Sequence, residues 1–292
     1  MPVLIIRRTA LALGTAVSVL SLTAGAVTLA ATLHLERSAT QQSQAQRLSV
    51  EHYASVQDPS PTAVATGHFS HQAFDQVLRI HVVDGIVDYP AIAVDPHFTD
   101  YINQLSHANL DQLTTHKEEL AFWINAYNAL VIKGILDGYS PSTFFGRVRF
   151  FKMLKYKVGG EEVDLYYLEH GILIPLKNSR IHFSIVCASS SCPKLRSEAF
   201  SMDLLEMQLE QNAKEFINDS TRNRFDREQK VAYLSKIFDW FESDFKRDAG
   251  SVQAYLARYV DDPKLAQELE SGLYRVKFLD YDWRLNGTPP KG

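Results

Sequence analysis

The stretch Thr115–Leu136, THKEELAFWINAYNALVIKGIL, is the strongest secondary-structure signal in the sequence. Thr115 followed by Glu118 is the pattern of a capping box, in which each side chain satisfies a backbone N–H at the start of a helix. Apolar side chains then recur at the spacing of one helical face, at Leu120, Trp123, Ile124, Tyr127, Leu130 and Val131. Gly138 and Pro141 come next, and both residue types end helices. The stretch therefore predicts a helix from His116 to Leu136.

Two asparagines, Asn125 and Asn128, interrupt the apolar part of this helix. They are three residues apart and therefore share a face. Because an unpaired buried amide is costly, both should have hydrogen-bond partners inside the protein. Two roles are open: the amides tie down the backbone of a neighbouring loop, or they orient a polar substrate together with Arg180.

The segment Arg180–Cys187 has the alternation of a β-strand. Ile181, Phe183, Ile185 and Cys187 alternate with His182, Ser184 and Val186. A turn of small residues, 188–193, follows and contains Cys192. A side chain at such a bend is presented to a cleft, so Cys187 is the candidate nucleophile of a thiol-dependent hydrolase or transferase.

A nucleophilic thiol needs a base within reach, and two histidines are candidates. In a regular strand, residues 182 and 187 point to opposite faces because their separation is odd. His182 therefore meets Cys187 only through a bulge or an early strand end. His170 lies on another element and is the preferred base, while Glu169 is a candidate acid or orienting group.

The alternative for the cysteines is a structural disulfide between Cys187 and Cys192 in a non-catalytic binding or interaction domain. A thiol–disulfide exchange role is disfavoured because four residues separate the cysteines, where the usual redox motif has two. A metal site that uses both cysteines and both histidines is disfavoured because Cys-x4-Cys is wider than a zinc knuckle. No metal or cofactor is expected.

The remaining pattern favours the α+β class. Further helices are predicted over 69–83, 97–106, 202–217, 239–245 and 251–259, with a turn and a strand within 222–238, a strand over 274–279 and a hairpin or flap over 144–163. Asp164 is a predicted N-cap of a short helix, 165–171. Because helices and strands do not alternate regularly, we expect one domain, 67–288, with a central antiparallel or mixed sheet packed by helices.

The N-terminal segment 1–34 predicts export, because Arg7 and Arg8 precede about 25 uncharged residues. It is a cleavable signal peptide or a retained membrane anchor, and a flexible linker, 35–66, follows. The expected location is the periplasm or another extracytoplasmic space, soluble or tethered.

The net charge is −4 and no long basic run lies outside the leader, which argues against a nucleic-acid partner. The expected partner is a polar small molecule or peptide; the oligomeric state has no signal in the sequence.

Four separated blocks of the sequence resemble the domain-of-unknown-function 547 family. They are ELAFWINAYNAL from Glu119, LEHGIL from Leu168, RIHFSIVCASSSCP from Arg180 and YDWRLN from Tyr281. The blocks occur in the family's order and extend over most of residues 70–286. The resemblance implies one folded unit in this range. It implies no activity, because the family is named for an unknown function, so the catalytic roles above rest on the chemistry of the residues alone.

Overall fold

The computed structural model describes residues 68–290, in which helices outweigh strands. The α-helices are α1 (Gln72–His81), α2 (Tyr89–Ile92), α3 (Pro96–Ser106), α4 (His116–Leu136), α5 (Phe144–Val148), α6 (Leu165–Tyr167), α7 (Leu205–Asn218), α8 (Ile237–Trp240), α9 (Glu242–Ala249), α10 (Val252–Ala257) and α11 (Pro263–Glu270). The strands are β1 (Val82–Val83), β2 (Ile86–Asp88), β3 (Tyr156–Val158), β4 (Glu161–Val163), β5 (Arg224–Asp226), β6 (Val231–Leu234), β7 (Arg275–Phe278) and β8 (Gly287–Thr288). Wider or tighter helical turns cover Leu110–Gln112, Arg149–Met153, Leu168–Leu173, Ile174–Leu176 and Ser179–Phe183.

Helix α4 lies at the centre of the fold. It begins with the predicted capping box, since Thr115 and Glu118 each bond the other's backbone N–H. The helix is buried without interruption from Leu120 to Ile132, on every face and not only on the one that the spacing indicates. A helix that is apolar all round belongs in the interior. The rest of the fold is therefore arranged around this helix.

The α+β class is confirmed, but the sheets are small and the predicted central sheet is wrong for residues 68–290. Strands β1, β2 and β8 form a mixed three-stranded sheet, and β5, β6 and β7 form a second one. Strands β3 and β4 form a separate antiparallel hairpin. In each mixed sheet, a late strand of the chain joins an earlier hairpin in parallel, β8 on β2 and β7 on β6. The position expected for a sheet is occupied by α4.

The predicted strand Arg180–Cys187 is also wrong. Residues Ser179–Phe183 form a tight 3-10 helix, and the chain then bends toward the cysteines. The alternation has another cause, because this segment passes between two hydrophobic cores. Ile181 and Ile185 pack into the core around α4, whereas Phe183 packs into a second, aromatic core. Burial on two sides imitates the pattern of a strand without forming one.

Most other predicted elements are present, with shifted ends. The helix predicted over 97–106 is α3, the hairpin predicted within 144–163 is β3–β4, and the final strand is β7. Asp164 caps α6 through the N–H of Tyr167, as predicted. The helix predicted from 202 begins at Leu205, and α11 is an addition that the pattern missed. The predicted leader 1–34 and linker 35–66 lie outside the described residues.

Candidate functional site

The two cysteines are joined, and the structure pairs Cys187 with Cys192 in a disulfide with a Cα–Cα distance of 6.2 Å. We call residues 187–192 the cysteine turn. Cys192 is 4% exposed, whereas Cys187 is partly exposed. Inside the turn, the N–H of Cys187 donates to the Cys192 sulfur (2.8 Å). Because the chain has only these two cysteines, this state contains no free thiol.

Two hydroxyl groups surround the sulfurs. The Ser189 Oγ lies 3.0 Å from the Cys187 sulfur, and the Tyr281 Oη lies 3.2 Å from it. The Tyr281 hydroxyl also donates to the Cys192 sulfur (3.2 Å). Burial raises the pKa of Tyr281 well above its usual value, so its hydroxyl stays protonated near neutral pH. Tyr281 is therefore a neutral hydrogen-bond donor shared by both sulfurs.

The cysteine turn holds the C-terminal segment 281–286 through the backbone. Ser190 N–H donates to the Arg284 carbonyl (2.7 Å), Ser191 N–H to the Asp282 carbonyl (3.2 Å), and Asn286 N–H to the Ala188 carbonyl (3.1 Å). Ala188 adopts a left-handed conformation (φ 58°), which costs a non-glycine residue about 1 kcal/mol. The cysteine turn thus holds segment 281–286 next to the disulfide.

The predicted histidine His182 is buried and has a partner that the sequence did not reveal. Its side chain is 0% exposed, and its Nε2 lies 2.8 Å from an Asp244 carboxylate oxygen. Its ring stacks on Phe241 with centroids 3.9 Å apart. Burial lowers the pKa of His182, although Asp244 opposes this effect. The Nδ1 atom of His182 is buried without a hydrogen-bond partner.

His170, the predicted base, lies near the same phenylalanine, Phe241, as His182. Its ring packs against Tyr166 (centroids 4.1 Å) and lies 6.4 Å from Phe241. Burial, with a smaller effect of the Lys152 charge, lowers the pKa of His170 to about 4, so the ring is neutral near pH 7. The structure therefore brings the two histidines together around one phenylalanine. Among residues 68–290, the side-chain partners of the Cys187 sulfur outside the disulfide are serine and tyrosine hydroxyls, and neither histidine is one of them.

Glu169, the candidate acid or orienting group, has a buried carboxyl group. Burial raises the pKa of Glu169 to about 7, and a hydrogen bond with Tyr127 of α4 opposes the shift. The Glu169 charge also acts on Tyr281, the residue that contacts both sulfurs. A carboxyl group that titrates near neutral pH is suited to general acid–base chemistry. Of the predicted acid and base residues, Glu169 is the one whose charge raises the pKa of Tyr281, the tyrosine in contact with both sulfurs.

The predicted substrate-binding residues do not share one pocket. Asn125 donates to the Phe200 carbonyl (2.8 Å) and accepts from the N–H of the same residue (2.9 Å). Asn128 donates to the Ser184 carbonyl (2.9 Å) and accepts from the Val186 N–H (2.9 Å). Both amides thus tie down backbone, which is the first of the two roles considered. Arg180 is directed elsewhere and donates to Glu206 (2.8 Å).

An aromatic surface borders the turn. The rings of Tyr281 and Trp283 lie 4.7 Å apart, and Trp240 lies 4.7 Å from Tyr281. Trp240 is 46% exposed, and the guanidinium of Arg147 lies 4.5 Å from the Trp283 ring. We call Trp240, Tyr281 and Trp283 the aromatic face. The signal in the sequence was the pair of aromatic residues in the YDW block, but nothing there indicated Trp240 as their neighbour.

An open cavity of about 870 Å³ lies on the Cys192 side of the turn. Its cationic residues are already satisfied: Lys194 pairs with Asp84 (2.5 Å) and Glu215 (3.0 Å), and Arg222 donates to the Cys192 carbonyl (2.8 Å). None of the residues predicted for the site lines this cavity. No group of three or more His, Cys, Asp or Glu side chains within residues 68–290 is arranged to hold a metal ion.

The fold and the site together define a mixed α+β domain whose cysteine turn closes on its own C-terminal segment. Residues 110–217 match the model of a family described as "Protein of unknown function, DUF547", so this part of the chain is similar to that family. The predicted resemblance is thereby confirmed. The matched residues include α4 and the cysteine turn, while the YDWRLN block lies beyond them. Searches of curated proteins and of solved structures found no match to the chain.

Proposed function

We propose that the chain is an exported binding domain in which the Cys187–Cys192 disulfide is structural. The observation that carries this proposal is the cysteine turn, whose sulfurs are bonded to each other and whose backbone holds segment 281–286. A disulfide persists in oxidising compartments such as the bacterial periplasm. This supports export by segment 1–34, with the domain soluble or tethered outside the cytoplasm.

The aromatic face is the proposed ligand surface. Neighbouring aromatic rings bind planar groups and ring faces by stacking. Arg147 adds a positive charge beside Trp283 that an acidic group of a ligand would meet. The proposed ligand is therefore a polar small molecule or peptide that carries a ring and an acidic group.

Peptide mapping under non-reducing conditions tests the structural disulfide. The native protein is treated with a thiol alkylator at neutral pH before and after reduction. We expect the peptides that contain residues 187 and 192 to remain unlabelled and linked until a reductant is added. Rapid labelling of Cys187 in the unreduced protein would refute the proposal and favour a free nucleophile.

Tryptophan fluorescence tests the ligand surface. A panel of aromatic amides, uronic acids and acidic dipeptides is titrated against the chain. A saturable change that is lost in Trp283→Ala and retained in the control Leu273→Ala is the expected result, because Leu273 is exposed (56%) but lies outside the aromatic face. A panel without any saturable change, or a change that survives Trp283→Ala, counts against this surface.

A thiol-dependent hydrolase or transferase is the second proposal, and it applies to the reduced protein. It is favoured by the partial exposure of Cys187 and by the two hydroxyl groups within 3.2 Å of its sulfur, which would solvate a thiolate. His170 and Glu169 are the proposed base and acid. In this case, Cys187 of the reduced protein should alkylate faster than Cys192, and His170→Ala should slow that reaction. Equal, slow labelling of both thiols would exclude it.

A further inference from the structure

We propose that segment 138–160 forms a membrane-facing surface that rests on anionic lipid. The segment contains five cations, Arg147, Arg149, Lys152, Lys155 and Lys157, and no acidic residue, in a chain whose net charge is −4. It follows α4 and includes α5 and the wide turn Arg149–Met153. Its composition alone predicts attraction to negative surfaces.

Large apolar side chains of this segment lie in solvent. Phe144 is 66% exposed, Phe145 is 83% exposed and Met153 is 65% exposed. The two phenylalanine rings contact each other edge to face, with centroids 5.6 Å apart, at the start of α5. Exposed aromatic pairs beside cations mark surfaces that contact another protein or a membrane. In this segment the apolar groups are therefore available for insertion into a lipid interface.

Two cations of this surface, Arg149 and Lys152, are available too. Lys155 pairs with Asp164 (2.5 Å). Arg149 instead lies over the Tyr139 ring (4.6 Å) and Lys152 over the Tyr166 ring (4.1 Å), and neither forms an ion pair with a carboxylate of residues 68–290. Their charges are left for an anionic partner.

A lipid surface supplies both kinds of partner at once. Anionic headgroups meet Arg149 and Lys152 while the acyl boundary receives Phe144 and Phe145, the arrangement by which peripheral proteins bind bilayers. The predicted N-terminal leader and linker, residues 1–66, are consistent with a membrane partner. If segment 1–34 is retained as an anchor, residues 35–66 cannot reach more than about 110 Å even when fully extended, so the domain stays beside the bilayer.

No helix between residues 68 and 290 has the length and apolar character to cross a bilayer. The proposed contact is with the headgroups and the acyl boundary of the bilayer. Arg147 connects this surface to the aromatic face, because its guanidinium lies near both Phe144 (6.0 Å) and Trp283 (4.5 Å). The proposed ligand surface would thus open next to the lipid headgroups.

The test places a fluorescent side chain at the proposed contact in the full chain. The variant Phe145→Trp is reconstituted with vesicles of phosphatidylcholine, alone or mixed with phosphatidylglycerol, whose acyl chains are brominated. All three native tryptophans lie within the described residues, so the wild-type signal is subtracted as background. The matched control is Val94→Trp, since Val94 is also 83% exposed but lies outside segment 138–160. The control reports any quenching that comes only from anchoring by the N-terminal segment.

We expect brominated anionic vesicles to quench Phe145→Trp more than Val94→Trp. Adding Arg149→Gln and Lys152→Gln should weaken this lipid-dependent excess about tenfold, because each cation near an anionic surface contributes to partitioning. Equal quenching of the two probes, or an excess that is unchanged without phosphatidylglycerol, overturns the proposal. A shift of the Phe145→Trp emission that depends on protein concentration without vesicles also overturns it, because the surface would then be covered by a second copy.

Discussion

Replacing Glu169 by glutamine isolates the titration of a buried carboxyl group that bonds Tyr127. Burial raises the pKa of Glu169 from 4.5 to about 7 in the folded protein. Between these values the folded state binds a proton that the unfolded state has lost. Stability that depends on this group is therefore fully present below about pH 4.5 and is lost as pH rises through about 7.

The size of the effect follows from the two pKa values. A pKa raised this far corresponds to at most ~3 kcal/mol of unfolding free energy, and the partial exposure of Glu169 reduces the figure to about 2 kcal/mol. Glutamine has nearly the same shape and can keep the hydrogen bond to Tyr127, but it carries no charge at any pH. The variant should lack this part of the pH dependence.

Urea unfolding of the oxidised wild type and of Glu169→Gln, at about pH 5 and about pH 8, measures the effect. We expect the two proteins to differ little at the lower pH, and the variant to be the more stable one at the higher pH by about 2 kcal/mol. The buried histidines His71 and His170, whose pKa values burial lowers to about 4, act in the opposite direction. They titrate in both proteins and cancel in the difference. A difference that is the same at both pH values would refute the raised pKa of Glu169.

Three further variants test the packing around the site. Cys187→Ser combined with Cys192→Ser should lower the unfolding free energy by about 2 kcal/mol, the loop-entropy value for so short a ring, and an unchanged urea midpoint would mean that the turn is held without its disulfide. Asn125→Ala should cost about 2–4 kcal/mol in the same assay because it leaves a buried backbone N–H and carbonyl unpaired, whereas a loss under about 1 kcal/mol would show that water replaces the amide. Gly287→Ala should destabilise the protein by more than about 2 kcal/mol, because the added Cβ would overlap the carbonyl oxygen of the neighbouring strand, and a wild-type melting temperature would show that β8 can move away.

The elements that the sequence predicts well are those defined by local chemistry. The capping box of Thr115 and Glu118, the Asp164 cap and the hairpin within 144–163 all depend on groups a few residues apart in the chain. Local hydrogen bonds and turn conformations depend on neighbours along the chain, so a sequence pattern is enough to recognise them. Their bounds in the structure agree closely with the pattern.

The predictions that failed depend on groups distant in the sequence. The odd separation of His182 and Cys187 placed them on opposite faces only if a strand was present, and there is none between them. Asp244, which bonds His182, is 62 residues away, and Tyr281 is 94 residues from the sulfur that it contacts. No spacing rule connects such residues, because the fold and not the local chain sets their distance. The same limit applies to the aromatic face.

The disulfide and the aromatic face depend on each other through central helix α4. Asn128 of α4 fixes the backbone of Ser184 and Val186, directly before Cys187, and so sets where the cysteine turn begins. The turn then fixes the chain on both sides of Trp283 by accepting and donating backbone hydrogen bonds. A buried amide on a rigid helix therefore positions the half-buried indole of Trp283 more than 150 residues later in the chain. A ligand bound at the aromatic face would favour the closed cysteine turn, and by linkage an intact disulfide would favour that ligand.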